Sequence, residues 1–331
     1  MNPRPLENLA DRLIAHIRTR PGAYHDWKRL AARLRTDPDT LKKAVAVAAS
    51  WDYRLRVRKT QGVAFIAPPD ALIAPEILHR LATRRLGQVI HSFKSTRSTN
   101  DLAVHYAENG APEGTVVTAE HQTKGRGRLG RSWHSPAHLG IYFSVILRPA
   151  FRPEEAPGLS LVAALALAET LVPRDAGHVQ IKWPNDILIN GRKVAGILTE
   201  LAADRNKITH VIVGVGINVN QRAGDFPPDL RATATSLRRE LKHKVDRLEL
   251  LRAFLLNLER GYDRYLKFRL KYAHARLRRL SSLLGQTVTV ASGRSHQTGI
   301  VKDIDAHGRL VLQTAAGLEY VTAGEVAVVT D

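Results

Sequence analysis

The chain has 331 residues, 44% apolar and 24% charged, enough for two or three folded domains and unlike a disordered or fibrous composition. It has no cysteine, which excludes disulfides, thiolate nucleophiles and thiolate metal sites. No uncharged apolar stretch reaches about 18 residues and the start, MNPRPLENLADRL, lacks a signal-peptide core, so a cytoplasmic chain without a membrane span is expected. The 50 Lys+Arg against 31 Asp+Glu give a net charge of +19, which suits either solubility or contact with polyanions.

The expected fold class is α+β. Residues 1–90 hold 17 basic and 8 acidic side chains. Within them Leu6, Leu9, Leu13, Ile14 and Ile17 recur at helical spacing, and Pro21-Gly22 ends that helix. Asp26 is placed to cap a second helix carrying Leu30 and Leu34, and Asp37 with Pro38 opens a third over 38–50. Residues 53–58 alternate as a strand and 63–66 return, so residues 1–67 read as a winged helix-turn-helix. Arg54, Arg56, Arg58 and Lys59 on the wing suit duplex phosphates. The third helix, however, starts with Asp37-Pro38-Asp39 and has few long polar side chains to read bases, so a winged helix that no longer binds DNA is the alternative.

Residues 68–90 read as a connector. In 91–280, strands are expected at 114–119, 140–147, 179–183, 187–189, 194–201 and 211–219, with helices over 158–171 and about 247–280. The tight turn Asn190-Gly191 signals antiparallel pairing, hence a mixed sheet. Residues 231–280 hold 15 basic and 5 acidic side chains, the second block of excess positive charge. Residues 281–331 carry short strands at 287–290, 299–301, 310–312 and 318–321, read as a small SH3-like β-barrel that leans on the central domain.

Three segments carry chemistry. Gly125-Arg126-Gly127-Arg128-Leu129-Gly130-Arg131-Ser132-Trp133 combines close backbone approach with cationic forks and suits a phosphate or carboxylate, with Trp133 available to stack on a base. Lys182-Trp183-Pro184-Asn185-Asp186 follows an apolar strand, and the hairpin behind it returns Lys193 to the edge of Asp186. A cation beside a carboxylate able to hold Mg²⁺ suits nucleotidyl transfer, whereas an ordinary surface ion pair is the plain reading. Ser98-Thr99-Asn100 stands before a helix, as a cap or as polar groups for a ureido or amide ligand. His134 and His138 are separated by Pro136 and do not share a helix face for a metal.

Ser98-Thr99-Asn100, Gln122, Gly125-Arg126-Gly127-Arg128, Lys182-Trp183-Pro184-Asn185-Asp186, Lys193 and Gly214-Val215-Gly216-Ile217-Asn218-Val219-Asn220 stand in the order seen in biotin–protein ligases. With a winged helix in front, the whole chain resembles the bifunctional ligase/repressor form of that family. The resemblance implies a central domain of the biotin/lipoate ligase type. It implies that biotin and ATP give biotinyl-5′-AMP, that the biotin passes to a lysine of the biotin carboxyl carrier protein of acetyl-CoA carboxylase, and that Mg²⁺ assists. It implies biotin contacts from Ser98, Thr99, Asn100, Gln122, Arg126, Gly127, Arg128 and Lys193. Nucleotide contacts would come from Arg128, Arg131, Trp133, Asn185, Asp186 and Asn218, with Asp186 also toward the metal and Arg126, Arg128 and Lys193 catalytic. Operator DNA and a ligand-linked homodimer are the further implied partners, with the apolar strand 211–219 expected as the pairing edge. Leu129 departs from the pattern, standing where the family commonly has an arginine. A lipoate-ligase-like acyltransferase, or a transcription factor that only senses an adenylate, are the other readings.

Overall fold

The structure, a computed structural model, describes residues 5–329 except 206, 293 and 294. By internal packing the chain divides into two compact units, Met1–Glu76 and Ile77–Asp331.

In the first unit, helices α1 (Pro5–Ile17), α2 (Trp27–Leu34) and α3 (Pro38–Ser50) combine with β1 (Tyr24–His25), β2 (Arg54–Arg58) and β3 (Gly62–Ala67), the strands ordered β1-β3-β2. The helix starts follow from local chemistry. Asp26 accepts from the amides of Lys28 and Arg29, and Asp37 accepts from those of Asp39 and Thr40. Leu13, Ile14 and Ile17 of α1, Leu41, Val45 and Ala48 of α3, and Val63 and Phe65 of β3 close one core. The acids at the head of α3 have local work, since Asp37 is the cap and Asp39 lies 2.9 Å from Lys42 Nζ.

The second unit begins with the remainder of α4 (Ala74–Leu78) and is built on seven strands: β4 (Ile90–Phe93), β5 (Val116–Ala119), β6 (Gly140–Leu147), β7 (Val179–Lys182), β8 (Asp186–Ile189), β9 (Arg192–Asp204) and β10 (Lys207–Asn218). Their order is β4-β5-β6-β10-β9-β8-β7, parallel only between β4 and β5. The sheet is therefore mixed. The expected pairing edge at 211–219 is corrected: β10 is bonded to β6 on one side and β9 on the other, so its apolar run reflects a central strand with neighbours on both sides. The hairpin between β8 and β9 turns on Asn190 and Gly191, with φ of 50° and 76°, the left-handed pair such a two-residue turn requires.

Helix α5 (Thr99–Glu108) packs Ala103 and Ala107 against Val117, Ile146 and Ile212 of the sheet. Helix α6 (Gly158–Leu171) packs against strands of the same sheet and against α8 (Arg247–Phe268), with the short α7 (Leu237–Leu241) preceding α8 and α9 (His274–Leu280) following it. The run Pro153–Arg174 has the length and composition of a membrane span, yet 72% of that window is buried in the fold, which accounts for its apolarity. Five strands, β11 (Thr287–Ser292), β12 (Ser295–Ile304), β13 (Leu310–Thr314), β14 (Gly317–Val321) and β15 (Glu325–Val328), form a C-terminal sheet ordered β14-β13-β12-β11-β15. Trp183, 2% exposed, donates to Gly308 O at 2.8 Å and so ties this sheet to the central one.

Asp11 on α1 has a buried Oδ1 with no hydrogen-bond partner among the described residues. Burial, and then the charge of Glu7, raise its pKa from 3.8 to about 6. Such a carboxyl favours the fold when protonated; the advantage is full below the unfolded value and lost as pH rises through about 6. Asp11→Asn is therefore expected to stabilise the first unit increasingly as pH rises from about 4 to about 7. Urea unfolding of both proteins across that range checks it, a pH-independent difference being the contrary result.

Candidate active site

A cleft of about 630 Å³ opens on the central sheet. Its floor is a patch of β9 and β10 without side chains. Gly216 stands opposite Gly196 in the register, with Gly214 two residues before it. A Cβ on Gly216 would lie 2.3 Å from Trp133 Nε1, one on Gly196 3.0 Å from the Trp133 ring, and one on Gly214 1.9 Å from Asn100 Oδ1. The indole and the carboxamide thus occupy space that any side chain would fill.

At one end stands a polar cluster. Gln122 Oε1 accepts from the Thr99 amide at 2.8 Å, and its Nε2 donates to Ser135 Oγ at 2.9 Å. Ser144 Oγ donates to Asn100 Oδ1 at 2.6 Å and lies 2.8 Å from the Thr99 hydroxyl. Asn100 Nδ2 donates to Glu200 Oε2 at 2.6 Å. Ser98 precedes α5 but makes no side-chain cap bond, so capping is not what this serine does here. Ser98, Thr99 and Asn100 are nonetheless buried beside the cleft.

The glycine–arginine loop folds over the floor, held by Gly127 N donating to Arg131 O at 2.7 Å and Trp133 N to Gly125 O at 2.8 Å. Gly127 needs no special backbone here: its φ is −114°, and the left-handed residues of the loop are Leu129 at 54° and Gly130 at 73°. The residue that cannot carry a side chain is Gly125, where a Cβ would lie 2.5 Å from Trp133 O.

Charge is matched inside the cleft. Arg126 Nη2 lies 2.7 Å from Glu200 Oε2 and 2.9 Å from Asp101 Oδ1. Lys193 Nζ is 2.7 Å from Asp186 Oδ1 and 5.5 Å from the Trp133 ring centroid. Arg131 pairs with Glu325 of β15. Arg128 differs from the other two loop arginines, because its Nη1 donates to the neutral Oδ1 of Asn185 at 3.3 Å. Burial lowers the Arg128 pKa, opposed by the nearby Asp186 carboxylate and reinforced by Arg131. Asn218 lines the cleft while accepting from Gln221 Nε2 at 3.2 Å.

All thirteen residues singled out from the sequence thus line one cavity. Sequence reasoning missed Glu200, Ser144 and Gly196, which sit in ordinary strand contexts; only the alternate-residue spacing of Gly214 and Gly216 hinted at a bare floor. Among the described residues no group of three His, Asp or Glu side chains stands together for a metal. Asp186 offers one hard oxygen beside the loop cations, which fits an Mg²⁺ held chiefly by substrate phosphates and not by a protein cage.

The Biotin/lipoate A/B protein ligase family matches residues 92–218, and the Biotin protein ligase C terminal domain matches residues 283–329. The Bifunctional ligase/repressor BirA of Bacillus subtilis is 37% identical over 276 residues, 83% of this chain and 84% of that protein. The Biotin–[acetyl-CoA-carboxylase] ligase of Mycobacterium tuberculosis is 38% identical over 237 residues, 70% and 85% of the two chains. Among solved structures, the biotin protein ligase of Aquifex aeolicus in complex with biotin and ATP superposes with a TM-score of 0.64 at 30% identity, covering 74% of this chain and all of that one.

Gly216→Ala is expected to leave the fold intact but expel the Trp133 indole from the floor. Intrinsic fluorescence and the melting temperature, read together, check this. A melting temperature lowered by many degrees, or an unmoved emission maximum, would contradict the account of the floor.

Proposed function

The chain belongs to the biotin–protein ligase family and is a ligase, and on that premise we propose that it adenylates biotin with ATP and transfers the biotin to a lysine of the carrier protein of acetyl-CoA carboxylase. The observation that carries the reading is the cleft, where Arg126, Arg128 and Lys193 converge above the bare floor next to the polar cluster of Thr99, Asn100 and Gln122. The match of residues 283–329 to a biotin-specific C-terminal domain favours biotin over lipoate as the acyl group.

The chemistry brings two anions together. The biotin carboxylate attacks the α-phosphorus of ATP, the bond to the bridging oxygen breaks and pyrophosphate leaves. Arg128 and Lys193 are the groups to offset the repulsion and the charge that grows on the phosphoryl oxygens, which makes preorganised electrostatics the main contribution. The ureido ring of biotin is assigned to the polar cluster of Ser98, Thr99, Asn100 and Gln122, and the adenosine to Trp133, Asn185 and Asn218. Asp186 would hold Mg²⁺, which when bound neutralises phosphate charge. The loop over 125–133 then shields a mixed anhydride from water until a lysine amine attacks its acyl carbon and AMP departs. No enzyme nucleophile is required, in keeping with a chain that lacks cysteine.

A second role as a biotin-dependent repressor is supported by the first unit, which we read as a winged helix-turn-helix, and by the ligase/repressor name of a relative sharing 83% of this chain. Arg54, Arg56, Arg58 and Lys59 are all exposed on or beside β2. A single unit of this kind needs a symmetric partner for a two-fold operator, hence a ligand-linked dimer, formed elsewhere than at β10.

Lys193→Ala and Arg128→Ala are each expected to slow pyrophosphate release from biotin plus MgATP by about 10²-fold or more with the fold retained. Wild-type rates in either purified variant would remove the assignment. For the second role, sedimentation with and without biotin plus MgATP should show a shift toward dimer. Binding to the gene's own upstream DNA should weaken steeply with salt, and Arg54→Gln/Arg56→Gln should flatten that salt slope by about two ions. Dimerisation with no DNA affinity would leave the ligase alone.

A further inference from the structure

A second cavity, of about 410 Å³, is lined by Arg192, Gln221, Arg222, Ala223, Arg238, Arg239 and Lys242. Five of these seven residues are cationic, and three of them, Arg238, Arg239 and Lys242, belong to the basic block beginning at residue 231 that the ligase reaction leaves without a task. They come from three places in the chain: the start of β9, the segment after β10, and α7 with the capping residue Lys242 that follows it.

The available carboxylate is already committed. Glu240, 5% exposed at its side chain, takes Arg192 Nη2 at 2.7 Å, Asn190 Nδ2 at 2.8 Å and the Thr235 hydroxyl. Asp225 caps the Arg222 amide at 2.6 Å. Arg239 donates to Ala234 O at 2.9 Å and lies over the Phe226 ring. The side chains of Arg222, Arg238 and Lys242 have no carboxylate within ion-pair distance among the described residues. Converging cations around a concavity raise the local potential and attract anions, and guanidinium forks match tetrahedral oxyanions.

Gln221 lines the same cavity but is fully buried, and its Oε1 is closed to solvent, so an occupant meets chiefly the cationic side chains. Inorganic phosphate and pyrophosphate, compact groups with several negative oxygens near neutral pH, suit such a setting.

We propose that this cavity is an inorganic phosphate or pyrophosphate site, distinct from the cleft. It is wired to the cleft by two short links. Gln221 Nε2 donates to Asn218, which lines the cleft. Arg192 precedes Lys193, whose amide donates to Thr233 O at 2.8 Å and whose carbonyl accepts from Thr235 N at 2.9 Å, within the same strip that Arg239 holds at Ala234. Occupancy would thus brace the segment behind Lys193 without touching the reacting groups.

Calorimetric titration of the full chain with phosphate and, separately, pyrophosphate tests this, and needs no ligase turnover. Binding at this site is expected in wild type and is retained in Arg128→Ala/Lys193→Ala, which removes two cations of the cleft and so isolates the second cavity. In Arg238→Gln/Lys242→Gln, a change at partly or fully exposed side chains, the affinity should fall at least about ten-fold. The tighter of phosphate and pyrophosphate identifies the occupant. Loss of binding in the cleft variant, retained affinity in Arg238→Gln/Lys242→Gln, or no binding at all would each overturn the proposal.

Discussion

The cleft rests on an absence of side chains. Trp133 and Asn100 can lie on the central sheet only because Gly196, Gly214 and Gly216 leave their side of β9 and β10 bare. Glycine weakens a strand, since it gives up more chain entropy on folding and packs nothing. The sheet tolerates this here because β10 is bonded along both edges, to β6 and to β9, and the Val and Ile residues between the glycines are buried. A central strand is thus where such a gap can be carried, and the position of β10 in the sheet and the position of the site are one fact.

Electrostatics follows from that floor. Once Trp133 is seated, the loop over 125–133 is fixed across it, and its three arginines meet two kinds of environment. Arg126 and Arg131 face carboxylates, while Arg128 faces an amide and is partly desolvated. A cation in that condition gains most from an incoming anion, since ligand charge replaces lost hydration without first displacing a carboxylate. Lys193 is different again: Asp186 holds it at 2.7 Å, so its freedom to turn toward a substrate depends on what else neutralises Asp186.

Much of this was readable in the sequence. Period and caps placed α1, α2, α3 and α6, because Asp26, Asp37, Pro21-Gly22 and a continuous apolar run each act through local physics. The residues that come to line the cleft stood out as well, since polar and glycine-rich segments at strand ends have few structural reasons to exist. Three things were not. The place of β10 in the sheet is a matter of non-local pairing, and an apolar run looks alike at an edge and in the centre. The backbone of the loop puts its left-handed residues at Leu129 and Gly130 and leaves Gly127 extended, which composition does not encode. Glu200 and Ser144 look like ordinary strand residues until the sheet brings them to Asn100.

The ion pair between Arg131 and Glu325 joins positions 194 apart in the chain, and Glu325 with Val326 of β15 forms part of the cleft wall. During synthesis the chain emerges from its N-terminus, so β6, β9 and β10 and the loop itself are exposed long before β15 is made. Until then Arg131 has no Glu325 and one wall of the cleft is missing. The order of translation therefore separates acquisition of the cations from closure around them: β15 supplies a wall to a cleft whose Arg131 was made 194 residues earlier.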